Sequence, residues 1–335
     1  MVKIAVIGTG YWGRNHVRAF NELKAEGVID ELEICEVDEK RAREFSNIYH
    51  IPYCTNYGDL LKDDSLDGVS IATPTHTHFE LAKSFMEAKK DVFVEKPMTT
   101  KSEDAEKLIH IAEDKKSLLM VGHIFRHHSA VKELKKRIER GDFGRIFYLT
   151  STRFSFREPR KDMGVMFALA IHEVDIFCYL LNKEYPLEIS AQLSKFLQKD
   201  IEEVAFLVLR FENDTLGYAF ESWMTPVDGK RRDLTIIGSK MSAKVDYLKP
   251  QELQLFDASI ISSADGASLK AEYEGSYTVP IPYKEPLKEE MRHFVECIKS
   301  REKPLSDMYA GKRAVEMIEI AFESARENKA MKIGK

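Results

Sequence analysis

The chain has 335 residues, of which 44% are hydrophobic and 31% charged, a composition typical of a globular protein long enough for two domains. A net charge of −5 without a basic stripe excludes electrostatic nucleic-acid binding as the main function. The nearest candidate for a membrane span, residues 164–181, is interrupted by His172, Glu173 and Asp175, so no membrane partner is expected. The first residues lack a signal-peptide plan and the four cysteines show no CxxC spacing, which favours a reduced, cytoplasmic protein.

Apolar runs alternate with segments of helical periodicity over the first 122 residues. Buried strands that alternate with helices are typical of a doubly wound parallel sheet, so we expect an α/β Rossmann domain at 1–122. The predicted elements are strands at 2–7, 32–37, 68–72, 92–95 and 118–122, and helices at 11–23, 40–49, 77–88 and 102–114.

The pattern changes after residue 122, where strand-like segments follow one another with few helices between them. This order predicts an α+β domain at 123–335 with a large, mostly antiparallel sheet. Its predicted strands lie at 146–153, 187–196, 203–211, 215–223, 233–237, 244–248 and 252–256, and its helices at 129–140, 165–181, 288–299 and 308–328.

The first predicted strand ends in Gly8-Thr9-Gly10-Tyr11-Trp12-Gly13, which matches the GxGxxG dinucleotide fingerprint. In this motif Gly8 permits a tight turn, Gly10 lets the backbone approach a pyrophosphate, and Gly13 lets the helix pack on the strand. The helix N-terminus offers free N–H groups and a partial positive charge to phosphate. We therefore expect this turn, Tyr11 and Trp12 included, to bind a dinucleotide; the alternative is a purely structural glycine turn.

An acidic residue is expected at the end of the second strand of such a fold, and Glu36 lies there. A carboxylate at this position accepts hydrogen bonds from ribose hydroxyls and repels a 2′-phosphate. The sequence thus predicts NAD, rather than NADP, as the cofactor.

Three further segments carry a resemblance to a known family. Ala72-Thr73-Pro74-Thr75-His76-Thr77-His78 follows the third strand, Glu95-Lys96-Pro97 follows the fourth, and Ile171-His172-Glu173-Val174-Asp175 lies in the helix at 165–181. Together with the glycine motif, these segments resemble the Gfo/Idh/MocA family of oxidoreductases over essentially the whole chain. The resemblance implies hydride transfer between NAD and a secondary hydroxyl of a sugar or polyol.

The resemblance also implies roles for individual residues. Residues that match Thr73, Pro74 and His78 lie beside the cofactor in the family, and Glu95 is expected with them. The residue that matches Lys96 reaches both the nicotinamide ribose and the substrate hydroxyl, and the one that matches His172 faces the substrate. Lys96 and His172 are accordingly the expected catalytic residues.

Oxidation of a secondary alcohol needs a base for the hydroxyl proton. His172 is the natural base because an imidazole titrates near neutrality, and Lys96 is the alternative, either as the base or as an ammonium that stabilises the alkoxide. Two structural alternatives stay open: Lys96 pairs with Glu95 at a strand end, or His172 is a hydrogen-bonded core histidine.

One branch of the family is especially similar. The run from Arg157 to Val165, continued by Leu169-Ala170-Ile171-His172, resembles nucleotide-sugar dehydrogenases, among them those that oxidise UDP-N-acetylglucosamine at C3. Arg160 suits an anionic or densely hydroxylated substrate because a guanidinium forms bidentate hydrogen bonds, and Asp162 is expected to contact the substrate as well. The alternative substrate is a free sugar or inositol.

Ala168 departs from the resemblance, since relatives usually carry an aspartate four residues before the histidine. Residues four apart share a helix face, so that carboxylate would lie beside His172; Asp175 shares the same face. Either Lys96 and His172 suffice with altered activity, or the protein binds NAD and a nucleotide sugar without efficient turnover.

The remaining histidines and the predicted sheet complete the expectations. His76 and His78, like His123, His127 and His128, match no standard metal-ligand spacing, so no metal is predicted. An antiparallel sheet with an open apolar face is a common subunit interface. The family assembles through that sheet, so we expect a homodimer or homotetramer.

Overall fold

The structure is a computed structural model that describes residues 1–262 and 268–334. It divides into two compact units, the first formed by Met1–His127 with Glu285–Val315, the second by His128–Lys284 with Glu316–Lys335. Residues 263–267 and the final residue of the predicted second domain, 335, lie outside the described residues. The division differs from the predicted one because 285–315 joins the first unit.

The first unit contains a six-stranded sheet in the order β3-β2-β1-β4-β5-β6, with every pair parallel. The order reverses between β1 and β4, which places a ligand crevice at the carboxyl ends of these strands. The strands, numbered along the chain, are β1 (Lys3–Ile7), β2 (Glu31–Cys35), β3 (Tyr53–Cys54), β4 (Gly68–Ile71), β5 (Asp91–Val94) and β6 (Leu119–Val121).

Helices cover both faces of this sheet, as expected of buried parallel strands. They are α1 (Gly13–Ala25), α2 (Glu39–Tyr49), α3 (Tyr57–Leu61), α4 (His78–Glu87), α5 (Ser102–Lys115) and α8 (Pro286–Ser300). One core cluster contains Phe20 of α1 and Phe294 of α8, and the other contains Phe85 of α4 and Leu108 of α5. Since the apolar face of α8 is buried in the first cluster, the segment 285–315 belongs to this unit although it is distant in sequence.

The second unit contains a nine-stranded sheet in the order β14-β13-β12-β11-β7-β10-β9-β8-β15. Its pairs are antiparallel except for β7 and β10, which run parallel. The elements are α6 (Ser129–Glu139), β7 (Ile146–Ser155), α7 (Ile171–Leu181), β8 (Glu188–Ser194), β9 (Val204–Arg210), β10 (Leu216–Ser222), β11 (Lys230–Gly238), β12 (Ser242–Asp246), β13 (Glu252–Ser262), β14 (Leu269–Pro280) and β15 (Met331–Lys332), with α9 (Met308–Glu327) continuing from the first unit.

The predicted fold class is confirmed: a doubly wound parallel sheet is followed by a mostly antiparallel one. The sequence missed β3 and β15, which have two residues each, and β14, whose side chains are largely exposed and show no apolar alternation. Across residues 1–262 and 268–334, no helix combines the length and apolarity needed to cross a membrane.

Candidate active site

The glycine turn after β1 has the shape that a dinucleotide requires. Gly8 has a φ of +86°, and a Cβ at this position would lie 2.9 Å from Thr73 Cγ2, so glycine is needed. A Cβ on Gly13 would overlap the carbonyl oxygen of Gly8, so this glycine lets α1 approach the strand end. At Gly10, by contrast, no heavy atom of the described residues lies within 4 Å of an added Cβ, apart from those of Gly10 and its two chain neighbours. The open space over Gly10 fits a pyrophosphate that approaches the backbone.

The N-terminus of α1 is suited to an anion. Trp12 occupies the N-cap, and an indole has no acceptor with which to satisfy the first-turn N–H groups. The Arg14 and Asn15 N–H groups donate to the carbonyls of Gly10 and Trp12, and the positive end of the helix dipole is suited to phosphate. Tyr11, which precedes Trp12, is 78% exposed, and the two ring centroids lie 6.2 Å apart. Both aromatic residues thus border the turn, where the sequence predicts cofactor contacts.

Glu36 follows β2 directly and is buried. Its Oε2 accepts hydrogen bonds from the backbone N–H and the hydroxyl of Thr9, at 2.8 and 2.9 Å, and its Oε1 accepts one from the Asp38 N–H at 3.0 Å. Burial alone would raise the pKa of Glu36, but these hydrogen bonds outweigh it and leave the pKa below its ordinary value. The side chain is therefore a fixed carboxylate at the edge of the glycine turn, which fits a ribose diol.

His78 joins the loops that follow β4 and β5. Its ring is buried, with Nδ1 2.9 Å from the carbonyl oxygen of Pro97 and Nε2 3.0 Å from that of Thr73. Thr73 and Thr77 share a hydrogen bond of 2.6 Å between their hydroxyls, and the Thr77 N–H donates to the carbonyl of Pro74. The structure thus places Thr73 and Pro74 in an ordered turn, and it places His78 behind that turn as a link between loops.

Glu95 and Lys96 follow β5, and the Lys96–Pro97 peptide bond is cis. The carboxylate of Glu95 accepts a hydrogen bond from the Lys96 backbone N–H at 3.2 Å and lies 2.9 Å from Nε2 of His16. Sequence reasoning missed His16, although its position three residues after Gly13 on the same helix places it near the fingerprint.

The first unit brings its predicted site residues to one sheet edge. β1, β4 and β5 are neighbours in the sheet and run parallel, so their carboxyl ends lie side by side. Gly8 follows β1, Thr73 lies just beyond β4, and Lys96 lies just beyond β5. The cofactor-binding residues predicted after these three strands therefore lie along one edge of the sheet.

His172 lies in the second unit, in the first turn of α7, and is buried at 8% exposure. A π-helical turn, Met166–Ala170, precedes α7 directly and contains Ala168. Such turns are frequent at functional sites. Asp175, one turn further along α7, is also buried. The helix predicted at 165–181 is thus a π-helical turn followed by α7, with Ala168 in the former and His172 in the latter.

Glu202 stabilises the start of this segment, a role that sequence reasoning missed. Its carboxylate accepts a hydrogen bond from the Met166 N–H at 3.1 Å, and its carbonyl accepts one from Val165 at 3.1 Å. A Cβ on Gly164 would overlap the Glu202 carboxylate, so glycine makes this approach possible. Burial raises the pKa of Glu202.

Glu173, the neighbour of His172, ties α7 to the sheet. It forms an ion pair with Arg153 of β7, and the two side chains are 0% and 2% exposed. The Arg153 guanidinium also lies over the Tyr247 ring, 4.8 Å from its centroid. Burial, reinforced by the negative charge of Glu173, raises the pKa of nearby Glu221 well above its ordinary value. The backbone that carries His172 is therefore fixed by a buried ionic contact.

Arg160 and Asp162 lie in the second unit and pair with each other. The Arg160 guanidinium donates to both carboxylate oxygens of Asp162, at 2.9 and 2.5 Å, and both side chains are exposed. Arg160 lowers the pKa of Asp162 through this contact. The guanidinium is thus accessible, and a substrate anion would compete with Asp162 for it.

No group of three or more His, Cys, Asp and Glu side chains within residues 1–262 and 268–334 is arranged to hold a metal ion. His127 lies against His293, with ring centroids 5.3 Å apart, and His128 lies against Tyr247. These histidines therefore have aromatic surroundings.

A Rossmann unit with an open glycine turn, a buried carboxylate after β2 and a lysine at the same sheet edge is typical of a dinucleotide-dependent oxidoreductase. Comparison with known families agrees with this class. Residues 2–123 match the model described as the oxidoreductase family with an NAD-binding Rossmann fold, and residues 135–333 match its C-terminal alpha/beta domain. The chain therefore belongs to the Gfo/Idh/MocA family, and its cofactor is NAD.

Individual relatives differ in substrate. The chain is 27% identical over 318 residues to UDP-N-acetylglucosamine 3-dehydrogenase of Acidithiobacillus ferrooxidans, with 94% of each chain covered. It is 27% identical over 354 residues to myo-inositol 2-dehydrogenase of Thermotoga maritima, covering 99% of this chain and 98% of the relative. A levoglucosan dehydrogenase solved with NADH and levoglucosan has a TM-score of 0.86 at 21% identity over the full length of both chains, which shows the shared fold.

Proposed function

We propose that this protein oxidises a secondary hydroxyl of a sugar or cyclic polyol with NAD, and that Lys96 and His172 are its catalytic residues. The preferred substrate is a nucleotide sugar such as UDP-N-acetylglucosamine, oxidised at C3. The observation that carries the proposal is the position of Lys96 beyond β5, at the sheet edge that also carries the glycine turn.

Bound NAD supplies the hydride acceptor, and the chain's own residues bind, orient and deprotonate. The positive end of α1 and the space over Gly10 would receive the pyrophosphate, and the Glu36 carboxylate would receive the ribose hydroxyls. The Lys96 amine hydrogen-bonds the reacting hydroxyl and, as an ammonium, stabilises negative charge that develops on its oxygen.

His172 is the proposed base for the hydroxyl proton. Its helix is held by the Glu173–Arg153 ion pair and by the Glu202 cap, so the imidazole is presented from a fixed backbone. A fixed base is efficient because proton transfer needs heavy atoms at hydrogen-bond distance. This support distinguishes His172 from a histidine on a mobile loop.

Two observations support a nucleotide sugar over a free sugar. The accessible Arg160 guanidinium can exchange its Asp162 partner for a diphosphate, which binds guanidinium bidentately. The relative from Acidithiobacillus ferrooxidans carries the name of a UDP-N-acetylglucosamine 3-dehydrogenase. A free inositol is the second candidate, favoured by the similarity to the Thermotoga maritima myo-inositol 2-dehydrogenase over nearly the whole of both chains.

A substrate panel tests the proposal. The appearance of nicotinamide absorbance is followed with NAD and, in separate reactions, UDP-N-acetylglucosamine, UDP-glucose, myo-inositol, scyllo-inositol and levoglucosan. The proposal expects reduction of NAD with a UDP-sugar. Turnover of the inositols alone supports the second candidate, and no turnover across the panel despite tight NAD binding contradicts a dehydrogenase.

Ala168 motivates a separate candidate, a protein that binds NAD and a nucleotide sugar without efficient turnover. The alanine lies in the π-helical turn one helical turn before His172. If the absence of a carboxylate at this position limits turnover, Ala168→Asp should raise kcat. Unchanged or lower turnover in this variant would show that the alanine is not the limiting feature.

The second-unit sheet supports a homodimer or homotetramer. On one face, β9 and β10 present the partly exposed side chains of Phe206, Val208 and Tyr218, with Phe220 stacked on Phe206 at 4.1 Å. Burial of such a face against a second copy removes apolar surface from water. Light scattering during size-exclusion chromatography tests this, and Phe206→Glu should release monomers.

A further inference from the structure

A chain of buried hydrogen bonds crosses the first unit beneath Lys96. Ser70 Oγ lies 2.8 Å from Nδ1 of His16, and Nε2 of His16 lies 2.9 Å from Oε1 of Glu95. The other carboxylate oxygen of Glu95 accepts the Lys96 backbone N–H. The chain thus connects Ser70 of β4, His16 of α1 and the backbone of Lys96 beyond β5.

The chain is fully enclosed by protein. Ser70 and His16 are 0% exposed, and Glu95 is 6% exposed. The His16 ring packs edge-on against Phe93, with centroids 5.6 Å apart, and its centroid lies 6.4 Å from that of Trp12. Water is therefore no ready substitute for any partner, and each lost hydrogen bond leaves a buried polar atom unsatisfied.

The acceptor chemistry fixes the direction of these bonds. A carboxylate donates no hydrogen bond, so the contact with Glu95 requires a proton on Nε2 of His16. The tautomer with its proton on Nε2 leaves Nδ1 as an acceptor, and the Ser70 hydroxyl then donates to it. With a neutral His16 ring, this arrangement of protons satisfies every hydrogen bond between Ser70 and the Lys96 N–H.

The Glu95 carboxylate also lies close to the backbone of Gly122. A Cβ on Gly122 would lie 3.2 Å from the carboxyl carbon and from both of its oxygens, so a larger residue there would crowd the carboxylate. His16 holds one oxygen and the Lys96 N–H meets the other. The backbone of Lys96 is therefore connected to His16 through the side chain of Glu95, which is held at both carboxylate oxygens.

His16 lies on the same helix as the glycine fingerprint, three residues after Gly13. The N-terminus of α1 is where the pyrophosphate is bound. A residue that joins this helix to the Lys96 backbone would hold the lysine at a constant position relative to the bound cofactor.

We infer that His16 is a positioning residue for Lys96, and that it acts through the carboxylate of Glu95 with Ser70 setting its tautomer. The inference rests on the proposed function of Lys96. A positioning role differs from a purely structural one, because the effect of His16 substitutions on kcat must disappear when Lys96 is replaced.

The first test measures the tautomer in the protein without substrate. Nitrogen NMR of ¹⁵N-histidine-labelled protein, with the His16 signal assigned by its loss in His16→Phe, should show the proton on Nε2. In Glu95→Gln the new amide can donate to Nε2, so the proton should move to Nδ1 and Ser70 should become the acceptor. A signal that shows Nδ1–H in the wild type, or that does not change in Glu95→Gln, overturns the inference.

The second test is a double-mutant cycle of His16→Phe and Lys96→Met. With Lys96 present, His16→Phe should lower kcat for NAD reduction roughly 10- to 100-fold, since a small displacement of a catalytic group has effects of this size. In the Lys96→Met background the same change should lower kcat less than about twofold. Equal losses in both backgrounds would show that His16 is only structural. His110→Phe, at an exposed position on α5, is the matched control and should leave kcat unchanged.

The same double-mutant cycle is also measured through the dissociation constant of NADH for each variant. This measurement needs no sugar substrate. His16→Phe should weaken NADH binding severalfold when Lys96 is present and not in the Lys96→Met background.

If Lys96→Met keeps full activity, the proposed function fails by itself. If Lys96→Met is inactive while His16→Phe is as active as the wild type, the inference about His16 fails and the proposed function stands. Should His16→Phe not fold, His16→Asn carries the kinetic cycle, because the shorter amide keeps a polar atom near Ser70 and cannot reach the Glu95 carboxylate.

Discussion

Oε2 of Glu36 accepts hydrogen bonds from both the backbone N–H and the hydroxyl of Thr9, at 2.8 and 2.9 Å. The end of β2 is thereby joined to the glycine turn after β1. The carboxylate proposed to contact the adenosine ribose thus also orders the loop proposed to hold the pyrophosphate. We therefore expect Glu36 to affect both the choice between NAD and NADP and the affinity for the cofactor.

Glu36→Gln tests this coupling, because it removes the charge and keeps the shape. We expect NADH binding to weaken roughly 10- to 100-fold, the range for a lost charged hydrogen bond, and the preference over NADPH to fall by a similar factor. Fluorescence titration with both reduced cofactors measures this. Glu39→Gln, an exposed change on α2, is the control, and an unaltered NADH-to-NADPH ratio in Glu36→Gln would contradict the role of the charge.

Two glycines of the fingerprint should respond differently to alanine. Gly13→Ala places a Cβ on the carbonyl oxygen of Gly8, so we expect a loss of about 2–3 kcal/mol in the free energy of unfolding. Apart from its chain neighbours, Gly10→Ala meets no heavy atom of the described residues within 4 Å, so stability should be kept while NADH binding is lost. Urea unfolding and NADH titration of both variants separate these effects. Normal NADH binding by Gly10→Ala would show that the pyrophosphate does not approach this turn.

Much of the first unit could be predicted because local signals and tertiary structure agree there. The turn from Gly8 to Gly13 has no room for a Cβ at Gly8 or Gly13, so its glycines mark a tight strand-to-helix turn. The apolar runs around it form the central strands. The assignment of 285–315 could not be predicted in the same way. The apolar face of α8 shows that the helix packs, but its sequence does not show that the partner is Phe20 on α1.

His128 should make the stability of the protein depend on pH. Burial, assisted by the positive charge of Arg153, lowers the pKa of His128 to about 4, although the Tyr247 backbone and Asp246 oppose the shift. The unfolded chain then binds the proton more readily, so this stability is present above about pH 6.5 and is lost as the pH falls towards about 4.

The size of the effect can be measured against a variant. Between about pH 6.5 and about pH 5, His128 should account for a loss of about 2 kcal/mol in the free energy of unfolding. His128→Phe should reduce the pH dependence by that amount, and His110→Phe, at an exposed site, should not. Equal slopes for the wild type and His128→Phe in urea unfolding would contradict the assignment.

Removal of Arg153 should destabilise the second unit strongly. Arg153→Met leaves the Glu173 carboxylate buried without its cation, beside Glu221, so we expect a loss of about 3–5 kcal/mol. The double variant Arg153→Met/Glu173→Gln removes the unpaired charge and should be more stable than the single variant. Urea unfolding compares them, and a double variant less stable than Arg153→Met would refute the ion-pair explanation.

The residues that sequence reasoning missed share a physical cause. His16, Ser70, Glu202 and Arg153 act through partners that are distant in sequence, and no local periodicity marks them. The Arg160–Asp162 pair, in contrast, is local, and the sequence singled out both residues. Motifs therefore revealed the groups proposed to touch ligands, while the groups that hold them became apparent only from the fold.

The central claim is that Lys96 takes part in NAD-dependent oxidation of a sugar hydroxyl. The most direct measurement compares kcat for NAD reduction by the wild type and by Lys96→Met with the best alcohol of the panel, at NAD concentrations that saturate both. Lys101→Met, an exposed lysine five residues further along, is the matched control. The account predicts a loss of at least about 100-fold in Lys96→Met and none in Lys101→Met. Comparable kcat values for the wild type and Lys96→Met would contradict it.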